Sequence, residues 1–276
     1  MSKIKKFWPL ALVVLLGFFA YISFIKPAQH HSSQNKTIVL GSTPAPFTDL
    51  FLKGIKPILV KEGYQVRVKS FSNLLNADIA LNDNEVDLNV DQHTAYLNNF
   101  NAEKKGHLVA LTKIPTSHMG IYPAQKKTLA EVSRGNKVAV PDDPSNAARA
   151  YRLMEKAGWI KLRSGVNPLK ATKRDIAENP YNLDLIEVDS STIPRIASDF
   201  DYTIIPGSVA YAAKISVKKM LLAETVQSDY FLVAATNQKN ANSDWAKAVT
   251  KAYQSKEFAD YMKKHNSDNY WEIPKY

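Results

Sequence analysis

The chain of 276 residues contains no cysteine. That absence removes disulfide staples, thiolate metal sites, cysteine nucleophiles and lipid attachment through an N-terminal cysteine. Histidine is scarce, with six in the chain. His107, His118 and His265 have no acidic or histidine companion at ligand spacing, and His30-His31 lie in a polar stretch where a solvated pair is expected. A metal centre needs three or four convergent ligands, so neither metal nor cofactor is expected. Ser42 and Ser145 lack a nucleophile-elbow setting and an oriented base. The adjacent acids Asp142-Asp143 occupy a turn, where neighbouring side chains diverge, so they do not form a general acid/base pair. The chain does not read as an enzyme. Arginine-rich runs and aromatic-basic alternation are missing too. The formal charge of +10 includes four lysines that flank one apolar segment, with the rest scattered among acids, so no nucleic-acid partner is implied.

That apolar segment, residues 7–25 (FWPLALVVLLGFFAYISFI), carries no charge and follows Lys3, Lys5 and Lys6. Its length suits a membrane-crossing helix, and the lysines place its N-terminal side in the cytoplasm. A retained transmembrane anchor is expected, with a cleaved signal helix as the alternative; Ala20 and Ser23 are candidate small residues for a cleavage site. Everything after Lys26 then lies outside the cell membrane, held there without a lipidated cysteine. Residues 27–36 (PAQHHSSQNK) read as a tether.

From residue 37 on, apolar patterning alternates between strands and helices. Strands are expected at 37–42, 64–71 and 86–89, with helices at 47–62, around 77–81 and at 92–99. The pattern restarts with strands at 120–122 and 137–140, a helix at 147–157 closed by Gly158, and strands at 183–188 and 202–205. The succession predicts an α/β fold with mostly parallel sheets and helices on both faces. An extended stretch at 112–119 and a return near 224–235 predict two lobes joined by two crossings. The first lobe comprises 37–117 and 224–276, the second 118–223. Residues 244–264 read as one amphipathic helix burying Trp245, Val249, Ala252, Phe258, Tyr261 and Met262. Trp159, Trp245, Tyr270 and Trp271 read as packing residues rather than a sugar platform.

The stretch VPDDPSNAARA (140–150) joins a strand to a helix through a turn in which Ser145 or Asn146 can act as cap. A carboxylate arriving there would meet unpaired backbone N–H groups, the positive end of a helix dipole and the Arg149 guanidinium. The alternative is an ordinary capped helix with Arg149 in solvent.

Six blocks in this order, GSTPAP (41–46), DLNVDQHTAYL (87–97), HMGIY (118–122), VPDDPSNAARAYRLMEKAGWIKL (140–162), ATKRDIAENP (171–180) and FDYTIIPGSVAYAA (200–213), resemble the NlpA family of methionine-binding lipoproteins of ABC importers. The resemblance spans 37–274. It implies a two-lobed, periplasmic-binding-protein-like clamp that closes on an amino acid or short peptide and delivers it to a permease and its ATPase. It also implies ligand-binding roles for His93, Tyr96, Asn146 and Arg149, the last two at the ligand's carboxylate.

Other positions depart from the family's pattern. Leu74 aligns with a pocket tyrosine and Asp91 with a pocket phenylalanine, while Ser208 and Leu232 fall in segments where the family carries asparagines. A thioether pocket works by apolar burial and sulfur–aromatic contact, and a carboxylate in its wall needs a partner or a proton. The expected ligand is therefore carboxylate-bearing but not ordinary methionine, with a polar or cationic side chain facing Asp91. Alternatively the alignment slips locally and Asp91 is solvated at the rim. A non-transporting sensor or surface interaction protein built on the same clamp is the second functional reading.

Overall fold

The computed structural model describes residues 36–266 and 270–276. The apolar segment 7–25, most of the tether and His30-His31 lie outside them. Among the described residues no helix is long and apolar enough to cross a membrane.

Two five-stranded sheets organise the fold. The first comprises β1 (Thr37–Ser42), β2 (Gln65–Ser70), β3 (Leu88–His93), β4 (Leu108–Ile114) and β12 (Leu232–Asn237), in the order β2-β1-β3-β12-β4. The second comprises β5 (Gly120–Pro123), β6 (Lys137–Pro141), β9 (Asp184–Val188), β10 (Tyr202–Ile205) and β11 (Leu222–Ala223), in the order β11-β5-β10-β6-β9. A small antiparallel pair, β7 (Lys161–Leu162) with β8 (Ile176–Glu178), stands apart.

The sheets are mixed rather than mostly parallel. β2, β1 and β3 run parallel, but β12 is antiparallel to both β3 and β4. Likewise β10, β6 and β9 run parallel while β5 and β11 supply antiparallel pairings. The crossings are the cause: β5 enters the second sheet directly from the outward crossing, and β12 enters the first directly from the return. Neither strand is reached through a helical crossover of the kind that keeps neighbours parallel.

The eight α-helices are α1 (Pro46–Leu50), α2 (Lys56–Lys61), α3 (Leu74–Asn82), α4 (Thr94–Lys104), α5 (Pro144–Lys156), α6 (Gly207–Ala212), α7 (Asp244–Tyr253) and α8 (Lys256–His265), counted among the described residues. Two helices expected as continuous are interrupted. Between α1 and α2 the chain forms a π-helical turn, Phe51–Ile55. Pro57 lacks an N–H and its ring crowds the preceding turn, so the backbone widens before it. At the C-terminal end, the Ser255 side chain accepts the Phe258 N–H and starts α8 afresh after α7 ends. Val249, Ala252, Phe258 and Met262 are buried there, whereas Trp245 and Tyr261 are only partly covered.

The core of the first sheet gathers Leu40, Leu88 and Val90 against Phe51, Leu59, Val249 and Phe258, with Tyr253 edge-on to Phe258. In the second, Val138, Val140 and Ile204 pack on Tyr151, Met154 and Trp159. Each such large side chain contributes roughly 1.5–3 kcal/mol when buried. Between the sheets the chain crosses outward at 115–119 and returns at 224–231. The crossings are tied together by the Glu224 N–H donating to the Met119 carbonyl (2.9 Å). Gly207 opens α6 against the outward crossing; a Cβ there would stand 2.4 Å from Ser117 Oγ and 2.8 Å from the His118 carbonyl.

Candidate functional site

The carboxyl ends of the parallel strands are where α/β proteins place their ligands. Here β3 ends at His93, β6 at Pro141 and β10 at Ile205. The residues after these ends start α4, α5 and α6. Sequence periodicity puts Gln92 and His93 in a helix, but they close β3, and the His93 side chain caps α4 by accepting the Tyr96 N–H on Nδ1 (3.0 Å). With Nδ1 an acceptor, Nε2 carries the ring hydrogen and donates to Asn146 Oδ1 (3.2 Å), joining the two sheets' helices. Burial, with the Arg149 charge adding to it, drives the His93 pKa down to about 3, so the ring is neutral.

The cap of α5 is Asp143, not Ser145 or Asn146. Its Oδ1 accepts the Asn146 N–H (3.0 Å) and the Ser145 hydroxyl (2.8 Å), and its Oδ2 accepts Asn146 Nδ2–H (3.0 Å). Pro144 follows at the first helical position, where its missing N–H costs nothing. Held this way, Asn146 turns its carbonyl oxygen toward both His93 and Arg149, whose Nη1 donates to it (2.9 Å).

Arg149 is 4% exposed, so the solvated alternative fails. Its Nε donates to Glu224 Oε2 (3.0 Å) and its Nη2 donates to Glu224 Oε1, giving a buried two-point ion pair. Glu224 Oε1 also accepts the Met119 N–H (2.7 Å), so this carboxylate is tied to both crossings. Tyr230 lies beside the guanidinium (5.1 Å to its ring centroid) and edge-on to His93 (5.3 Å). Three of the five guanidinium N–H groups are committed among the described residues, and two remain to meet an incoming oxygen. Glu224 escaped sequence reasoning: it lies 75 residues beyond Arg149 in a stretch with no motif, and the lone acid in LLAETV is the only signal that could have pointed to it. Tyr230, 81 residues beyond Arg149, stands in the Tyr230-Phe231-Leu232 segment where the resemblance implies an asparagine, but sequence reasoning gave the tyrosine itself no role.

Asp91 is 9% exposed, which excludes a solvated rim position. Its Oδ2 accepts the Thr43 N–H (2.8 Å) and hydroxyl (2.9 Å). Its Oδ1 is buried without a partner among the described residues. Burial raises the carboxyl pKa to about 7 against the lowering effect of Thr43. Gln92, one residue on, reaches Asp78 of α3 (Nε2 to Oδ1, 2.5 Å). Asp78 is fully buried and its pKa is raised well above the usual value, by burial first and the Asp91 charge second.

Among the remaining sequence candidates, Tyr96 joins this network through its N–H to His93; it lies in the first turn of α4, its ring edge-on to His93 (6.3 Å). Leu74 follows the Asn73 cap at the start of α3, half-buried, and Ser208 is the second residue of α6, also half-buried. Leu232 is buried in β12 opposite His93 and Ile114. Among the described residues no three His, Asp or Glu side chains converge as a metal site would require.

Known proteins are similar to this chain in sequence and fold. The D-methionine-binding lipoprotein MetQ of Escherichia coli K12 is 32% identical over 200 residues, 71% of this chain and 73% of its own. A nutrient binding protein from Burkholderia cenocepacia, solved bound to methionine, superposes with a TM-score of 0.78 at 32% identity, covering 86% of this chain and all of its own. An ABC transporter periplasmic substrate-binding protein from Coxiella burnetii matches with the same TM-score, identity and coverage. The family description that fits is NlpA lipoprotein, matched over residues 38–274. The chain belongs to the NlpA lipoprotein family.

Proposed function

We propose that this protein is the extracytoplasmic solute-binding component of an ABC importer. It captures an amino-acid-like, carboxylate-bearing ligand between a first lobe (37–117 with 224–276) and a second (118–223), and hands it to a permease and its ATPase. The observation that carries this reading is the run of hydrogen bonds from His93 through Asn146 to Arg149, which joins the two sheets at their carboxyl ends beside the N-terminus of a thirteen-residue helix. A ligand carboxylate there meets the two uncommitted guanidinium N–H groups and the second Nδ2–H of Asn146. Closing the lobes on such a ligand is a hinge motion about the crossings. In this reading His93 and Tyr96 contribute from the first lobe, and Tyr230 lies against the guanidinium. A buried carboxylate at Asp91 is ill-suited to a thioether, which calls for apolar or aromatic contact, so the ligand differs from methionine.

The relatives are binding proteins by name, and MetQ of Escherichia coli is named for D-methionine. Segment 7–25 holds the protein on the membrane in this reading, and high-salt washing leaves it there. The decisive experiment is a thermal-shift panel of free amino acids and short peptides. A ligand that binds only the native state raises the melting temperature, by about 2.7 kcal/mol of added stability at a hundredfold excess over Kd. A rise that disappears in Arg149→Met supports the reading.

One observation favours the second reading, a clamp that senses or docks without transporting: Glu224 already balances the Arg149 charge. Silence across the whole panel would support that reading.

A further inference from the structure

Resting on the binding-protein reading above, we propose that the ligand is a basic amino acid, its α-carboxylate received at Arg149 and Asn146 and its side-chain cation seated on Asp91. Arg149 is paired with Glu224, and His93 and Asn146 are neutral, so the carboxylate-receiving cluster has no net positive charge with which to hold an anionic ligand. A dicarboxylic acid would bring in a second negative charge with nothing opposite it, and uncompensated buried charge is what such sites tolerate least.

Asp91 supplies the opposite need. It is more than nine-tenths buried, two donors from Thr43 fix one carboxylate oxygen, and the other has no partner among the described residues. No ion pair reaches Asp91 or Asp78 among those residues. Alternation along an extended strand sends Gln92 toward Asp78 on α3 and sends Asp91 to the same side as His93, the residue that bridges the two sheets. Asp91 and His93 are about 6.6 Å apart along the strand, and His93 in turn reaches Asn146 (3.2 Å), so Asp91 lies close to the bridge at which the ligand carboxylate would be received. A ligand cation would thus complete an oxygen that protein groups leave unmade, and a net charge of +1 on the ligand would neutralise the closed site.

The test is calorimetric titration of protein unfolded, dialysed and refolded, with L-lysine, L-arginine, L-ornithine, L-methionine and L-glutamate as probes. Expected is binding of at least one basic amino acid at least tenfold tighter than methionine or glutamate. In Asp91→Asn, which keeps an oxygen for Thr43, that binding falls at least tenfold. Methionine or glutamate binding tighter than all three basic probes would overturn the inference while leaving the binding-protein reading intact, as would undiminished basic-amino-acid binding by Asp91→Asn. Binding of none of the five overturns the inference; whether the binding-protein reading also falls is decided by the wider panel of amino acids and peptides.

Discussion

The guanidinium of Arg149 and the carboxylate of Glu224 form a buried ion pair that links α5 to the return crossing, and through the Met119 N–H to the outward crossing as well. The group that would receive a ligand carboxylate is therefore fastened to the segments about which the lobes would turn. Removing one partner strands the other charge. Arg149→Met should destabilise the fold by about 3–5 kcal/mol in a denaturant titration, while the double substitution with Glu224→Leu should recover most of the loss. Equal destabilisation by the single and double variants would show that packing, not charge, governs the site.

Asp91 and His93 pull the pH dependence of stability in opposite directions. A carboxyl whose folded pKa lies above 3.8 stabilises the fold fully when protonated, and the contribution of Asp91 is lost as pH rises from about 4 through about 7. A histidine whose folded pKa lies below 6.5 contributes fully when neutral, and the contribution of His93 is lost as pH falls from about 6.5 toward about 3. Asp91→Asn should gain in melting temperature relative to the wild type between pH 4.5 and 8. His93→Asn, which retains a side chain able to cap α4, should gain relative to the wild type as pH falls from 7 to 4.5. Parallel pH profiles for wild type and variants would contradict these assignments.

Gly207 is required by space rather than by backbone conformation. Gly207→Ala would push a methyl group into Ser117 and the His118 carbonyl, at a cost of about 1–3 kcal/mol, read by chemical denaturation. A neutral substitution would mean that the crossing yields easily.

Asp143 both caps α5 and holds the amide of Asn146. Asp143→Ala should cost about 0.5–2 kcal/mol of stability and also weaken ligand binding, because Asn146 is then free to turn. Ser255→Ala removes a cap of the same kind far from the site, and should cost similar stability with binding unchanged.

Much of this architecture is legible in the residues themselves. The strands at 37–42, 137–141, 184–188 and 202–205 announce themselves as apolar runs, and PSNAARAYRLMEK carries a helical stripe. Local pattern is less informative where a single atom decides. The lost N–H of Pro57 widens a helix, a serine cap splits another, and Pro144 at the first helical position hands the cap to Asp143 rather than to Ser145 or Asn146. Antiparallel β12 and the Arg149–Glu224 pair lay beyond such reading, because both arise from a return of the chain that only the assembled fold brings into register. The buried state of Asp91 was open in the sequence, and the donors of Thr43, 48 residues away, decide it.

The most direct test of the account is mass spectrometry of small molecules released when freshly purified protein is unfolded, followed by adding each released molecule, alongside the amino-acid and peptide panel, to the refolded protein in a melting experiment. The account predicts a carboxylate-bearing amino acid or short peptide that raises the melting temperature of the wild type and leaves Arg149→Met unmoved. A melting temperature indifferent to every such compound, or a ligand that binds equally well without Arg149, would contradict it.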